Sequence, residues 1–182
     1  LILGDNAGET VFDRLLISQL DREVFFAVKS QPILNDATKE DALNSGLDVV
    51  ATIIENGSPR SGTYLPWCSQ RFLDLFHSVD LVVSKGQANF ETLVNENRRI
   101  FFLLKVKCKL LSRRHSLPLG EYALIDNRRL GRQQIPMEES SHQRCLLVLM
   151  RHRTVSLYDL AQRLAANSTM RCSRRASPAG SR

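Results

Sequence analysis

The sequence is poor in the residues that staple small folds or build metal clusters. Its 182 residues hold four cysteines, Cys68, Cys108, Cys145 and Cys172, widely spaced and without a C-x-x-C pair. That spacing argues against a disulfide framework and a structural zinc site, and favours a reducing, cytoplasmic setting. No apolar run approaches the length of a membrane span, so no membrane association is expected. No signal peptide is visible; the chain opens at Leu1 inside an apparent strand, and its true N-terminus is expected upstream. Neither G-x-x-x-x-G-K-[ST] nor G-x-G-x-x-G occurs, which removes the Walker and dinucleotide fingerprints. His77 and His115 have no partner at ligand or triad spacing and read as structural or solvated.

The net charge of +6 would suggest nucleic acid if it were spread over the chain. It is not. Residues 1–125 carry 14 Lys and Arg against 15 Asp and Glu, whereas residues 126–182 carry 11 against 4, and all 11 are Arg. The basicity belongs to the tail, and nucleic acid is not an expected partner of the preceding domain. Two regions follow: a globular domain over 1–125 and a divergent, Arg-rich, largely disordered tail over 126–182. The switch to Arg alone points to a shifted reading frame or a divergent gene end.

Within 1–125, short apolar runs alternate with amphipathic stretches. Strands are expected at Leu1–Leu3, Val24–Val28, Val49–Ile54, Leu81–Val83, Ile100–Leu104 and Tyr122–Ile125. Most are continuous in Val, Ile and Phe, as strands covered on both faces are. Helices are expected over Thr10–Leu20, with Val11, Leu15, Leu16 and Leu20 on one face, and over Lys39–Leu47, Ser69–His77 and Phe90–Asn95. The alternation predicts an α/β fold: a doubly wound, Rossmann-like, mostly parallel sheet with helices on both faces.

Polar loops follow three of these strands. Asp5-Asn6-Ala7-Gly8-Glu9 follows the first, Asn35-Asp36-Ala37-Thr38 the second and Lys85-Gly86-Gln87-Ala88-Asn89 the fourth. Open α/β sheets bind ligands outside the carboxyl ends of their strands. Adjacent carboxylate and carboxamide oxygens there suit a hard divalent cation. The competing reading is helix capping: Asp5 as a cap with Glu9 favouring the dipole, and Asp36 as a second cap. Thr38 and Asp41 have capping-box spacing, which leaves Asn35 and Asp36 unaccounted for. Lys85, followed by Gly86 and a helix start, is a candidate anion site, with a solvated surface lysine as the alternative. Asn56-Gly57-Ser58 fits a turn or a substrate-facing loop. Trp67 and Cys68 read as packing residues, and Cys108, between Lys107 and Lys109, has no base identified to make it a catalytic thiol.

These three loops, with Val11-Phe12-Asp13, Pro32-Ile33-Leu34, Asp41-Ala42, Phe90-Glu91-Thr92-Leu93 and Phe101–Cys108, resemble the metal-dependent damage-control phosphatases in their bacterial and archaeal branch. That family is also labelled acidic-residue methyltransferase-like. The likeness runs in order from residue 1 to about 125. It implies hydrolysis of phosphate esters of small metabolites, such as sugar phosphates, nucleotides or damaged phosphometabolites. It also implies a divalent metal (Mg, Mn, Co or Ni) held by Asp5, Asn6 and Asp36. Asp5 and Lys85 would be catalytic, and Glu9, Asn35, Lys85, Gly86 and Asn89 would bind substrate. Ala88 stands where the family has a second glycine, and since the sequence opens at the first motif, the family's helical domain ahead of it is expected to be missing. A non-catalytic phosphometabolite- or nucleotide-binding domain is the alternative. Methyl transfer ranks below both, because no glycine-rich loop with a following acidic residue is present to hold S-adenosylmethionine.

Overall fold

A computed structural model of the protein describes residues 1–130. The apolar run Cys145–Met150, the helical pattern over Val155–Ala165 and the low-complexity end 167–182 lie outside the described residues. Strands β1 (Ile2–Leu3), β2 (Phe25–Val28), β3 (Thr52–Glu55), β4 (Val82–Lys85), β5 (Ile100–Lys105) and β6 (Tyr122–Asp126) alternate with helices. The helices are α1 (Thr10–Ile17), α2 (Lys39–Asn44), α3 (Gln70–Ser78), α4 (Gln87–Leu93) and α5 (Lys109–His115). The strands form one sheet in the order β3-β2-β1-β4-β5-β6. Five run parallel and β6 closes the edge antiparallel to β5. The expected doubly wound, mostly parallel sheet is the observed one.

Alternation along the short strands feeds a separate core on each face. Ile2, Phe26 and Val28 pack with Ile17, Ala42 and Leu47 of the α1–α2 side. Leu1, Leu3 and Ala27 join Phe72, Phe76, Phe90 and Leu93 of the α3–α4 side. Because α1 and α4 cover opposite faces, the chain leaves the neighbouring strands β1 and β4 in opposite directions. This is the crevice-forming switch point of a doubly wound sheet. Among the described residues no helix is long and apolar enough to cross a membrane.

Local expectations differ from the fold in four places. The third strand starts at Thr52 because Gly46, with φ of 70°, turns the chain into a 3-10 turn over Leu47–Val49. Helix α4 starts at Gln87 instead of Phe90, directly after Gly86, whose φ of 85° redirects the chain out of β4. Helix α5 was not expected; its basic residues mask a single buried Leu111. Most informative is α1. Its inward side is Thr10, Asp13 and Ile17, while Val11, Phe12 and Leu15 are exposed. Of the apolar stripe expected on one face, Val11 and Leu15 are turned outward while Leu20 packs against the core, because Asp13 has a buried cationic partner to reach. Thr38 and Asp41 do form a reciprocal capping box at the start of α2. His77 and His115 sit edge-on to Phe76 and Phe90 as packing residues.

Candidate active site

The three polar loops meet at the carboxyl ends of β1, β2 and β4. Backbone pairing brings the first two together: Ala37 N–H donates to the Asp5 carbonyl at 2.7 Å and Ala7 N–H to the Asn35 carbonyl at 2.8 Å. This short antiparallel bridge sets Asn6 opposite Asp36. Asn35 Nδ2 donates to Asn6 Oδ1 at 2.6 Å, and Asn6 Nδ2 donates to Asp5 Oδ2 at 3.2 Å and Glu9 Oε1 at 2.7 Å. Asp5 and Glu9 cap neither the 3-10 turn over Ala7–Glu9 nor α1, since neither start has a side-chain capping bond. The capping explanation for Asp5 therefore falls away. Asp36 is committed elsewhere too, to the ammonium of Lys29 at 3.7 Å.

The third loop supplies room. A methyl group on Gly86 would fall 2.3 Å from Asp5 Cγ and Oδ1 and 2.5 Å from Oδ2. The Asp5 carboxylate thus lies against a backbone that must stay bare. Gly86→Ala is expected to cost about 1–3 kcal/mol, combining that clash with a side chain at positive φ. It should also displace Asp5; urea unfolding reads the first effect and a calorimetric Mn²⁺ titration the second. Asn89, expected to touch substrate, is buried beneath the loop. It donates to the carbonyls of Gly4 at 3.0 Å and Lys85 at 2.8 Å, and accepts from Thr63 Oγ1 at 2.8 Å. Its side chain ties the end of β1 to the end of β4.

Lys85 reaches back under α1 to a bidentate contact with Asp13, at 2.7 and 2.8 Å, and to Glu9 Oε2 at 2.7 Å. Burial alone would lower its pKa; Asp13 and Glu9 outweigh burial and raise it. Lys85 is therefore charged throughout the neutral range. Asp13 was read only as part of the first motif, without a role, and Lys29 was not read at all. Asp13 carried a signal, since Thr10, Asp13 and Ile17 are spaced as one helix face. Lys29 carried another: a lysine directly closes the apolar run Phe25–Val28, at the same sheet edge as Asp5. It is 4% exposed and donates to the Gly62 carbonyl as well as facing Asp36. Burial holds its pKa below the usual lysine range, against the pull of Asp36.

Four carboxylates, Asp5, Glu9, Asp13 and Asp36, thus face two buried ammonium groups, with Lys107 acting on Asp5 and Glu9 from farther out. Negative charge is in excess, and Asp5 bears it. Burial first, then Glu9 and Asp36, push its carboxyl above the usual range. Glu9 goes the other way: burial would raise it, but hydrogen bonds from Lys85 and Asn6 lower it. Asp5 has one weak amide donor and no contacting cation. Among the described residues no three His, Cys, Asp or Glu side chains stand together as a complete metal cage. Asp5, Asn6 and Asp36 bring only oxygen donors to this edge, the ligand type that hard divalent cations prefer. A groove of about 370 Å³ between β2, β3 and α3 shares no residue with this edge.

Comparison with known proteins places the same residues in context. Residues 1–122 match the family model described as the damage-control phosphatase ARMT1-like domain. The chain is 40% identical over 133 residues to a damage-control phosphatase of Pyrococcus horikoshii, covering 70% of this chain and 46% of that protein. It is 34% identical over 124 residues to a damage-control phosphatase of Archaeoglobus fulgidus, covering 65% and 43%. The crystal structure of a DUF89 family protein from Pyrococcus horikoshii superposes with a TM-score of 0.67 at 39% identity, over 70% of this chain and 46% of that one. The chain spans less than half the length of the curated relatives it matches.

Proposed function

Because the chain belongs to the damage-control phosphatase ARMT1-like family, we propose that its 1–125 domain is a divalent-metal-dependent phosphatase acting on phosphate esters of small metabolites. Sugar phosphates, nucleotides and damaged phosphometabolites are the substrate classes this reading admits. The observation that carries it is the meeting of Asp5 and Asp36 across the Asn6–Asp36 bridge, at the switch point of the sheet and with an uncompensated carboxylate. Asp5, Asn6 and Asp36 would hold Mg, Mn, Co or Ni. Such an ion, when bound, polarises phosphoryl oxygens and eases deprotonation of water.

The chain's own residues do the rest. The bridge and the Asn89 bonds hold the three strand ends at fixed spacing, so the reacting group meets preset positions. Lys85, charged and anchored by Asp13, offers a cation to the phosphoryl group from the β4 side. Asn35 orients the Asn6 carboxamide, leaving one lone pair of its oxygen free. Asp5, held only by the long Asn6 amide bond, is the carboxylate nearest in kind to a nucleophile or ligand.

Phosphate release from a panel of small phosphate esters, with each of the four metals, tests the reading. Release in none of them, with the ligands still raising thermal stability, would support a binding domain instead. A pH dependence follows from the direction of the Asp5 shift. Asp5 must be ionised to ligate, and its carboxyl holds its proton more tightly than an ordinary aspartate. Divalent affinity is therefore expected to start falling at higher pH than for a solvated aspartate, on titration from neutral into mild acid. A calorimetric Mn²⁺ series checks this, and Asp36→Glu, which leaves Asp5 in place, should keep the same trend.

A further inference from the structure

The lysine expected to meet the phosphate is already held by two carboxylates. Asp13 chelates its ammonium through Oδ1 at 2.7 Å and Oδ2 at 2.8 Å, and Glu9 contacts it through Oε2 at 2.7 Å. The two partners are unlike. The Asp13 side chain is 6% exposed and fixed inside α1, whereas that of Glu9 is 42% exposed at the end of a 3-10 turn. Only Glu9 can leave without unmaking the core. Its second oxygen, Oε1, accepts from Asn6 Nδ2 at 2.7 Å. One carboxylate thus spans two donors, one from the β1 loop and one from the end of β4, with one oxygen on each. Two oxygens of a phosphoryl group would use the same pair of donors in the same way.

We propose that Asn6 Nδ2 and Lys85 Nζ form an oxyanion seat, filled by Glu9 in the free protein and vacated for the ligand's phosphoryl group. This deepens the phosphatase reading and rests on it. The seat also carries a specificity rule. A carboxylate ligand would replace Glu9 with its equal and gain little. A dianionic phosphate monoester brings more charge and a third oxygen, and wins the exchange. Asp13 is then the positioning residue that keeps Lys85 in place while Glu9 moves.

Inorganic phosphate titrated calorimetrically into the full chain, with and without Mg²⁺, tests this on wild type, Glu9→Ala and Glu9→Asp. Glu9→Ala removes the occupant and should tighten phosphate binding by about fivefold or more. Glu9→Asp keeps the charge but is one methylene too short to span both donors, so it should tighten binding as well, by less. Equal phosphate affinity in all three proteins would overturn the seat while leaving the phosphatase reading intact. Tightening in Glu9→Ala with none in Glu9→Asp would mark plain charge repulsion and would overturn it too. No phosphate binding by any of the three would overturn both the seat and the assignment of phosphate to Lys85.

Discussion

Asp5→Asn and Asp36→Asn are each expected to lower metal-dependent phosphate release by about 10³-fold or more, roughly 4 kcal/mol of transition-state stabilisation. Their effects on the fold should have opposite signs, and that contrast makes the prediction specific. Asp5 is a half-buried carboxylate crowded by Glu9 and Asp36, with its carboxyl pushed up. Neutralising it relieves repulsion, so metal-free Asp5→Asn should be as stable as wild type or more so. Asp36 faces the buried Lys29 ammonium. Losing its charge leaves that cation uncompensated, at a cost of about 3 kcal/mol. Urea unfolding of the metal-free proteins separates the two, and equal destabilisation by both would contradict the electrostatic account. A residue that weakens the fold it sits in is the usual mark of a functional group.

Lys85→Met is expected to cost about 3–5 kcal/mol, because Asp13 would be left charged inside the α1–β4 interface without its bidentate partner. Adding Asp13→Asn should recover a large part of the loss, since the orphaned charge is then gone. A double-mutant cycle by urea unfolding measures the coupling; additive losses would show that the pair does not act as a unit. The pH course has a definite sign. With its pKa raised in the folded state, Lys85 contributes fully below the unfolded lysine value. That contribution is lost only as alkali titrates past the raised one. On the acid side burial pushes the Asp13 carboxyl up against the pull of Lys85, so the pair is lost at higher pH than an ordinary aspartate would give.

How much of this was legible in the sequence depends on what each residue's signal was. Short apolar runs, most of them continuous in Val, Ile and Phe, named the six strands, and strand–helix alternation named the sheet, because covered parallel strands leave that pattern. The loops at Asp5, Asp36 and Lys85 were legible as polar residues at strand ends. Their convergence follows from the strand order, which a single sequence does not print. Helix α1 misled because apolar periodicity is a good guide only where apolar contacts decide the packing. Here a buried ion pair decides it, turning Asp13 inward and Val11 and Leu15 outward. Lys29 escaped for a related reason, as a lysine after a strand reads as solvated until its acceptors are known. Asn89 was read as a ligand contact because the resemblance assigns the loop from Gly86 to Asn89 to the phosphate. Its amide instead donates to the Gly4 and Lys85 carbonyls at the ends of β1 and β4.

The central claim is that Asp5, Asn6 and Asp36 together hold a divalent cation, and a Mn²⁺ titration followed by calorimetry tests it most directly. The account predicts one Mn²⁺ bound per wild-type chain and none at the same concentrations for Asp5→Asn, whose fold remains intact. Stoichiometric binding that survives in Asp5→Asn would contradict it.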